Sequence, residues 1–449
     1  MTLWGHARDW RWREAGACEM QLSLGRKQRK EGAGVVRETP RVVLYIDNAR
    51  AFGGSMSSLM YTLAGLDRQR FEPVLVTGQQ GKNQCEDVRS YRLPYSPYYR
   101  FMASIRSKVK EGQLPFAIRK AINGLCFATF VVTREFAYFV RLWRIARSVK
   151  PALIHLNNNL NSQMAGILLA RTLGVPCVSH QRDYEARSRI TRCLSGFVDQ
   201  HIAVSESIKH NLITSGITPA KISVVTDALD VDMWKPEREN GRLRKTFGIA
   251  DGERVVGMFG RVVPWKGQHV FVRAMHRVCR MFPDVRGVIV GDHADGDPSY
   301  MNEVVRQVQL LDLESRIIMT GYRDDIRDLM AMMDIVVHAS TRPEPFGMVI
   351  IEAMASGKPV IATQGGGPSE IIEDMKSGLL IPRGDSDSLG GAIVGLLGNR
   401  TYAEELGKEG RRVVEERFTH TRQAEVIGEI YTSLLDDRGR RGWQLRRVR

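Results

Sequence analysis

Residues Arg254–Gly267 read RVVGMFG followed by RVVPWKG. The first seven form a short β-branched, apolar run of the kind that fills a buried strand. The run closes on Gly260, and a turn carrying Arg261, Pro264, Lys266 and Gly267 precedes a helical pattern. A strand, a glycine turn and a helix make the repeating piece of an α/β fold. The same piece recurs downstream at RGVIVGD (Arg286–Asp292), RIIMTG (Arg316–Gly321), IVVHAS (Ile335–Ser340) and PVIAT (Pro359–Thr363). Strands alternating with helices imply right-handed βαβ units and a doubly wound parallel sheet.

An earlier set has the same character. RVVLYID (Arg41–Asp47) leads through Gly53 and Gly54 into a helical pattern at Leu59, Leu63 and Leu66. Further runs follow at Glu72–Thr77, Ala152–Leu156, Val175–Ser179, His201–Ser205 and Lys221–Thr226. The fold class expected is therefore α/β, two Rossmann-like domains facing a central cleft, because open α/β sheets bind ligands at the carboxyl ends of their strands. The boundaries expected are a basic, polar and disordered arm over 1–39, domains over 40–230 and 231–400, C-terminal helices over 401–436 and an aperiodic basic tail over 437–449.

The 449 residues suit two or three domains, and 43% hydrophobic against 26% charged residues excludes wholesale disorder. A net charge of +15 favours anionic partners. Six scattered cysteines without a CxxC pair argue against a zinc site or a disulfide framework. The first 40 residues lack the apolar run of a signal peptide, and Leu125–Val149 is interrupted by five charges. A cytoplasmic protein without a membrane span is expected.

The chemistry collects in three turns. Arg261 offers a forked donor and Lys266 a point charge at the end of one strand, a setting for a diphosphate. After IVVHAS comes TRPEPFGMVIIEAMASGKPVIAT, which sets Glu344 in a Pro/Gly loop and Glu352 in an apolar helix. An ionised carboxylate there is costly unless hydrogen-bonded, and a ribose diol would satisfy it. Gly365, Gly366 and Gly367 then open a helix carrying Glu370. His180 follows the strand VPCVS at its carboxyl end. His155, His201 and His338 lie within strands and read as core residues or supports. Asp-x-Asp pairs at Asp230/Asp232, Asp295/Asp297 and Asp385/Asp387 lack further oxygen ligands and read as loop residues, so no metal is expected.

Together GRVVPWKG, PEPFGMVIIEAMASGKPVIAT and GGPSEII closely resemble the donor-binding half of retaining GT-B glycosyltransferases of family 4. The resemblance implies a nucleotide-diphosphate sugar as donor substrate, with no cofactor and no metal. Arg261 and Lys266 would neutralise the diphosphate, Glu352 would hold the ribose and Glu344 would contact the transferred sugar. Gly260, Phe346, Gly347, Gly366, Gly367 and Glu370 would line the donor site. Gly53 and Gly54 look like the family's glycine loop, and His180 looks like its acceptor-side histidine. The usual asparagine–glycine before the interdomain aspartate is replaced by Asp227-Ala228-Leu229-Asp230. The implied activity is retaining transfer to a glycan or lipid-linked acceptor in cell-surface polysaccharide or glycolipid synthesis.

Two other readings share some of these features: a GT-B epimerase or phosphorylase, and a basic nucleic-acid-binding protein. The first lacks this pairing of motifs and the second lacks a recognition motif. Lys82–Lys150 carries 14 Lys or Arg against four Asp or Glu, interleaved with aromatic residues. That pattern suits a peripheral contact with an anionic membrane on its cytoplasmic face.

Overall fold

The computed structural model describes residues 39–48, 53–78, 87–95, 125–126, 129, 131–185, 188–235, 241–293 and 297–447. The N-terminal arm and most of the segment 82–130 lie outside the described residues.

Two parallel sheets organise the chain. The first contains β1 (Arg41–Asp47), β2 (Phe71–Thr77), β3 (Arg89–Arg92), β4 (Leu153–Asn157), β5 (Cys177–Gln181), β6 (Gln200–Ala203) and β7 (Ile222–Val224), in the order 3-2-1-4-5-6-7. The second contains β8 (Arg254–Phe259), β9 (Val285–Val290), β10 (Ile317–Met319), β11 (Ile335–His338), β12 (Val360–Thr363) and β13 (Leu379–Ile381), in the order 10-9-8-11-12-13. Both sheets reverse their winding, the first between β1 and β4 and the second between β8 and β11. Those reversals leave a crevice at the carboxyl ends of the flanking strands. The Arg261–Lys266 turn leaves β8 and the Glu344 loop leaves β11, so the topology alone brings them together.

The central strands are almost wholly apolar because helices cover both faces of each sheet. Leu44, Ile46, Ile154 and Leu156 are fully buried in the first, and Val256, Val337 and Ile361 in the second. Two short edge strands, β3 and β13, were not evident from sequence. β3 reads RSYR and is half exposed, and β13 is three residues long, so neither presents a continuous apolar run.

The C-terminal helices, expected as one unit over 401–436, divide between the domains. The helix Arg400–Arg417 packs on Met348–Ala355 in the second domain, whereas His420–Arg447 returns to the helix Gly54–Gly65 of the first. The expected aperiodic tail over 437–449 is also corrected, since this last helix continues to Arg447. Its anchor is Tyr431, fully buried in a cluster with Val43, Tyr45, Leu59 and Val178. The Tyr431 hydroxyl lies 3.0 Å from the Tyr45 hydroxyl and 2.6 Å from His155 Nδ1. Burial, with Arg182 nearby, pushes His155 down to about 3, so it is neutral here.

Removing the Tyr431 ring therefore opens a cavity and strands two buried polar groups. Tyr431→Ala should cost about 3–5 kcal/mol, the scale for emptying a large aromatic site. Urea denaturation followed by circular dichroism checks it, and a loss below about 1 kcal/mol would show that the helix does not anchor the first domain.

Candidate active site

The turn after β8 can close only on glycine. Gly260 adopts φ +133° and Gly267 φ +82°, and a Cβ on Gly267 would stand 2.0 Å from the Ala339 carbonyl oxygen. This close approach brings the end of β11 against the short Pro264–Lys266 turn. Lys266 Nζ then reaches Glu344 Oε2 at 2.8 Å and lies 4.4 Å from the centre of the Trp265 ring. Arg261 is exposed beside it, and its guanidinium has no hydrogen-bond or ion-pair partner among the described residues.

Glu344 is 9% exposed and richly supported. Besides Lys266, His338 Nε2 and Ser340 Oγ each lie 3.0 Å from the same oxygen, Oε2. Burial alone would raise its pKa, but the Lys266 charge and the His338 hydrogen bond outweigh that and hold the carboxyl well below the usual range. Glu344 is thus an anion at any working pH. Oε1 takes no hydrogen bond among the described residues and is left for a ligand.

Glu352 is the opposite case. It sits in the helix Met348–Ala355, which Gly347 opens at φ +115°. Part of its side-chain surface remains accessible, yet its carboxylate has no partner among the described residues, and burial pushes it up to about 7. A hydroxyl-rich ligand would supply the missing hydrogen bonds.

The glycine turn after β12 lies against the Glu344 loop. Gly366 pairs with Glu344, and the Gly367 N–H donates to the Glu344 carbonyl at 2.9 Å. A Cβ on Gly367 would meet the Phe346 carbonyl oxygen at 2.1 Å. Across the crevice, Gly53 opens the helix Gly54–Gly65, and a Cβ on Gly54 would touch Met348 Cγ at 3.3 Å. The structure thus joins Lys266, Glu344, Gly366 and Gly367 in direct contact and brings Gly54 of the first domain to Met348 of the second.

Three further expected site residues have contacts of their own. Phe346 is 3% exposed and its ring packs 5.8 Å from that of Phe418, so it is core. Glu370 accepts the N–H groups of Glu206 and Ser207 at 2.8 and 2.9 Å, capping the helix Glu206–Thr214 of the other domain. His180 is wholly buried: Nδ1 is 3.3 Å from Arg182 Nη2, its ring centre is 5.3 Å from that of His155, and Nε2 is unpartnered among the described residues. Burial, then Arg182 and His155, holds it well below 6.5 and hence neutral.

Arg182 also explains the Asp227 departure. Asp227 accepts both an ion pair from Arg182 and a 2.7 Å hydrogen bond from Ser58, so the carboxylate balances a buried guanidinium. The Asp-x-Asp residues Asp230, Asp297 and Asp385 cap turns through backbone N–H groups. Asp295 lies outside the described residues. No group of three or more His, Cys, Asp or Glu side chains among the described residues is placed to hold a metal ion. Sequence reasoning missed Ser340, which bonds to Glu344, and Tyr184, whose hydroxyl lies against Gly366, since neither belongs to a glycine or paired-carboxylate pattern.

Comparison with known families agrees with this geometry. The description "Glycosyl transferases group 1" matches residues 239–413, and "Glycosyltransferase Family 4" matches residues 52–233. The chain belongs to the group 1, family 4 glycosyltransferases. The lipopolysaccharide core biosynthesis mannosyltransferase LpcC of Rhizobium leguminosarum is 25% identical over 78% of this chain and 99% of its own length. A putative glycosyltransferase of Bacillus subtilis, YtcC, is 33% identical over 52% of this chain, and the match spans 60% of that relative. Anabaena HepE, solved with UDP and glucose, superimposes with a TM-score of 0.73 at 25% identity, over 88% of this chain and all of that one. The two-domain GT-B fold is thereby established for this chain.

Glu352 provides a test that needs no substrate. Its folded-state pKa, about 7, lies above the unfolded value near 4.5, so ionisation destabilises the fold progressively from pH 4.5 and fully above about 7. Glu352→Gln should raise the melting temperature by a few degrees at pH 8 and change it little at pH 5. An equal shift at both pH values would contradict the unpartnered carboxylate.

Proposed function

We propose that the protein transfers a sugar, with retention of anomeric configuration and without a metal, from a nucleoside-diphosphate sugar to a glycan or lipid-linked acceptor. The observation that carries this reading is the Lys266–Glu344 pair at the winding reversal of the second sheet, with an exposed Arg261 on the same turn that has no ion-pair partner among the described residues. Cleavage of the sugar–phosphate bond develops negative charge on the diphosphate and positive charge on the sugar ring. Arg261 and Lys266 answer the first, and the Glu344 carboxylate stands where it can answer the second and bind sugar hydroxyls. Glu352, lacking a partner, suits a ribose diol.

The relatives support the substrate classes. HepE was solved with UDP-glucose, LpcC is a mannosyltransferase of lipopolysaccharide core, and an Escherichia coli relative, 24% identical over 80% of its length, is a galactosyltransferase acting on a GlcNAc-diphosphoundecaprenol. Cell-surface polysaccharide or glycolipid synthesis follows as the setting. Retention fits front-face attack, in which the departing diphosphate takes the acceptor's proton.

A screen of UDP- and GDP-hexoses for nucleoside-diphosphate release, in EDTA, tests the reading. Wild type should turn over at least one donor, and Lys266→Ala should lower that rate about 100-fold, the scale for deleting one preorganised charge stabiliser. Undiminished turnover by the variant would remove Lys266 from the mechanism.

We place the enzyme at an anionic membrane surface through the first domain. Among the described residues no helix is long and apolar enough to cross a membrane. The helix Phe136–Val149 buries Tyr138, Leu142, Ala146 and Val149 and leaves Arg141, Arg144 and Arg147 exposed, with Phe136 61% exposed at its start. Each basic residue near such a surface contributes about 1 kcal/mol, screened by salt. Flotation with acidic vesicles should fall steeply from low to high salt and fall further in the triple variant Arg141→Glu, Arg144→Glu, Arg147→Glu. Equal flotation with neutral and acidic vesicles would overturn the placement.

A further inference from the structure

The loop after β5, Arg182–Glu185, sorts its four side chains. Arg182 is 7% exposed and turned inward, donating from Nε to Asn157 Oδ1 at 2.7 Å and pairing with Asp227. Glu185 is 4% exposed and accepts the Leu160 N–H, while its own N–H donates to Asn211 Oδ1 at 2.8 Å. Tyr184 places its hydroxyl 2.9 Å from Ser207 Oγ, and a Cβ on Gly366 would come within 3.0 Å of that hydroxyl. The loop is thus fixed at three points, one of them against the turn that pairs with Glu344.

Asp183 is the remaining side chain, and it is exposed. One carboxylate oxygen accepts the Tyr184 N–H at 2.8 Å, and the other has no partner among the described residues. Its neighbour Tyr184 stands against Gly366, which pairs with Glu344, and its charge interacts with those of Glu344, Arg261 and Lys266 on the opposite domain. A loop of the first domain, held against the turn that pairs with Glu344, therefore carries one carboxylate oxygen without a partner among the described residues. A diphosphate would be repelled by it. A neutral hydroxyl is the group that fits.

We propose that Asp183 binds the acceptor, its free oxygen accepting a hydrogen bond from a sugar hydroxyl so that the attacking oxygen is aimed at the donor's anomeric carbon. The proposal rests on the glycosyl-transfer reading above. In the reaction the bond from the anomeric carbon to the phosphate oxygen breaks, with its electron pair leaving on the diphosphate. The acceptor oxygen forms the new bond with its own lone pair, and its proton passes to the departing diphosphate. Asp183 keeps its protonation state throughout and serves as an acceptor-binding residue, not as a base.

The experiment measures nucleoside-diphosphate release from UDP- and GDP-hexoses, with and without a panel of alkyl and p-nitrophenyl hexosides, for wild type and Asp183→Asn. Wild type should be stimulated by at least one hexoside. In the variant the stimulated rate at low hexoside should fall at least 10-fold through a higher KM for the hexoside. Hydrolysis without hexoside and UDP affinity should not fall below wild type, and the melting temperature should stay within a degree or two. Retained stimulation in the variant, a parallel loss of hydrolysis, or a wild type that hydrolyses donor but responds to no hexoside would each overturn the proposal. Absence of donor binding and hydrolysis in wild type would instead overturn the glycosyl-transfer reading beneath it.

Discussion

Lys266 and Glu344 face each other at 2.8 Å from loops that leave two different strands, and the Lys266 charge, with the His338 hydrogen bond, keeps the buried Glu344 carboxyl ionised. An isolated ion in that position would be expelled or neutralised, because desolvation costs several kcal/mol per charge. With Lys266, His338 and Ser340 gathered on one carboxylate oxygen, the Glu344 charge persists despite its burial. On the proposed reading, a diphosphate entering beside Arg261 would meet positive charge already in place. Much of the second domain serves that juxtaposition. The β8–β11 neighbourhood sets the separation, Gly267 permits the close approach to Ala339, and Gly366 and Gly367 pin the loop that carries Glu344.

The first domain meets this centre through polar contacts and through a buried apolar cluster that residues of both domains share. Glu370 caps the helix Glu206–Thr214, Ser205 Oγ donates to the Pro345 carbonyl at 2.7 Å, and Tyr184 stands against Gly366. The helix His420–Arg447 adds a covalent return path, so the domains are joined at both the 225–241 crossing and the C-terminus. Glu370, read from sequence as a lining residue, also bridges the two domains by capping the helix Glu206–Thr214.

The doubled α/β architecture was legible because buried parallel strands betray themselves as short apolar runs, and glycine turns mark where those strands end. Arg261, Lys266, Glu344 and Glu352 were legible for the same reason: they stand at strand ends or interrupt an apolar helix. What sequence could not give was side-chain direction inside a sheet covered on both faces. His180 looks like a strand-end functional group, but Arg182 folds inward over it to reach Asp227, leaving it buried and neutral. Asp183, next in the chain, is the residue left exposed, and no local pattern distinguishes the two. Strands β3 and β13 were missed because an edge strand of four polar residues and a strand of three carry no periodic signal. The destination of the last helix was likewise invisible, since its amphipathic face does not say which domain it covers.

The most direct measurement is a crystal structure of the protein soaked with a nucleoside diphosphate, UDP or GDP. The account predicts density for the diphosphate between the Arg261 guanidinium and Lys266 Nζ, with a ribose hydroxyl within hydrogen-bonding distance of Glu352 and the Glu344 carboxylate left facing the vacant sugar position. A nucleotide bound elsewhere, or bound in the crevice with its phosphates away from Arg261 and Lys266, would contradict the assignment of this charged pair as the centre of the site.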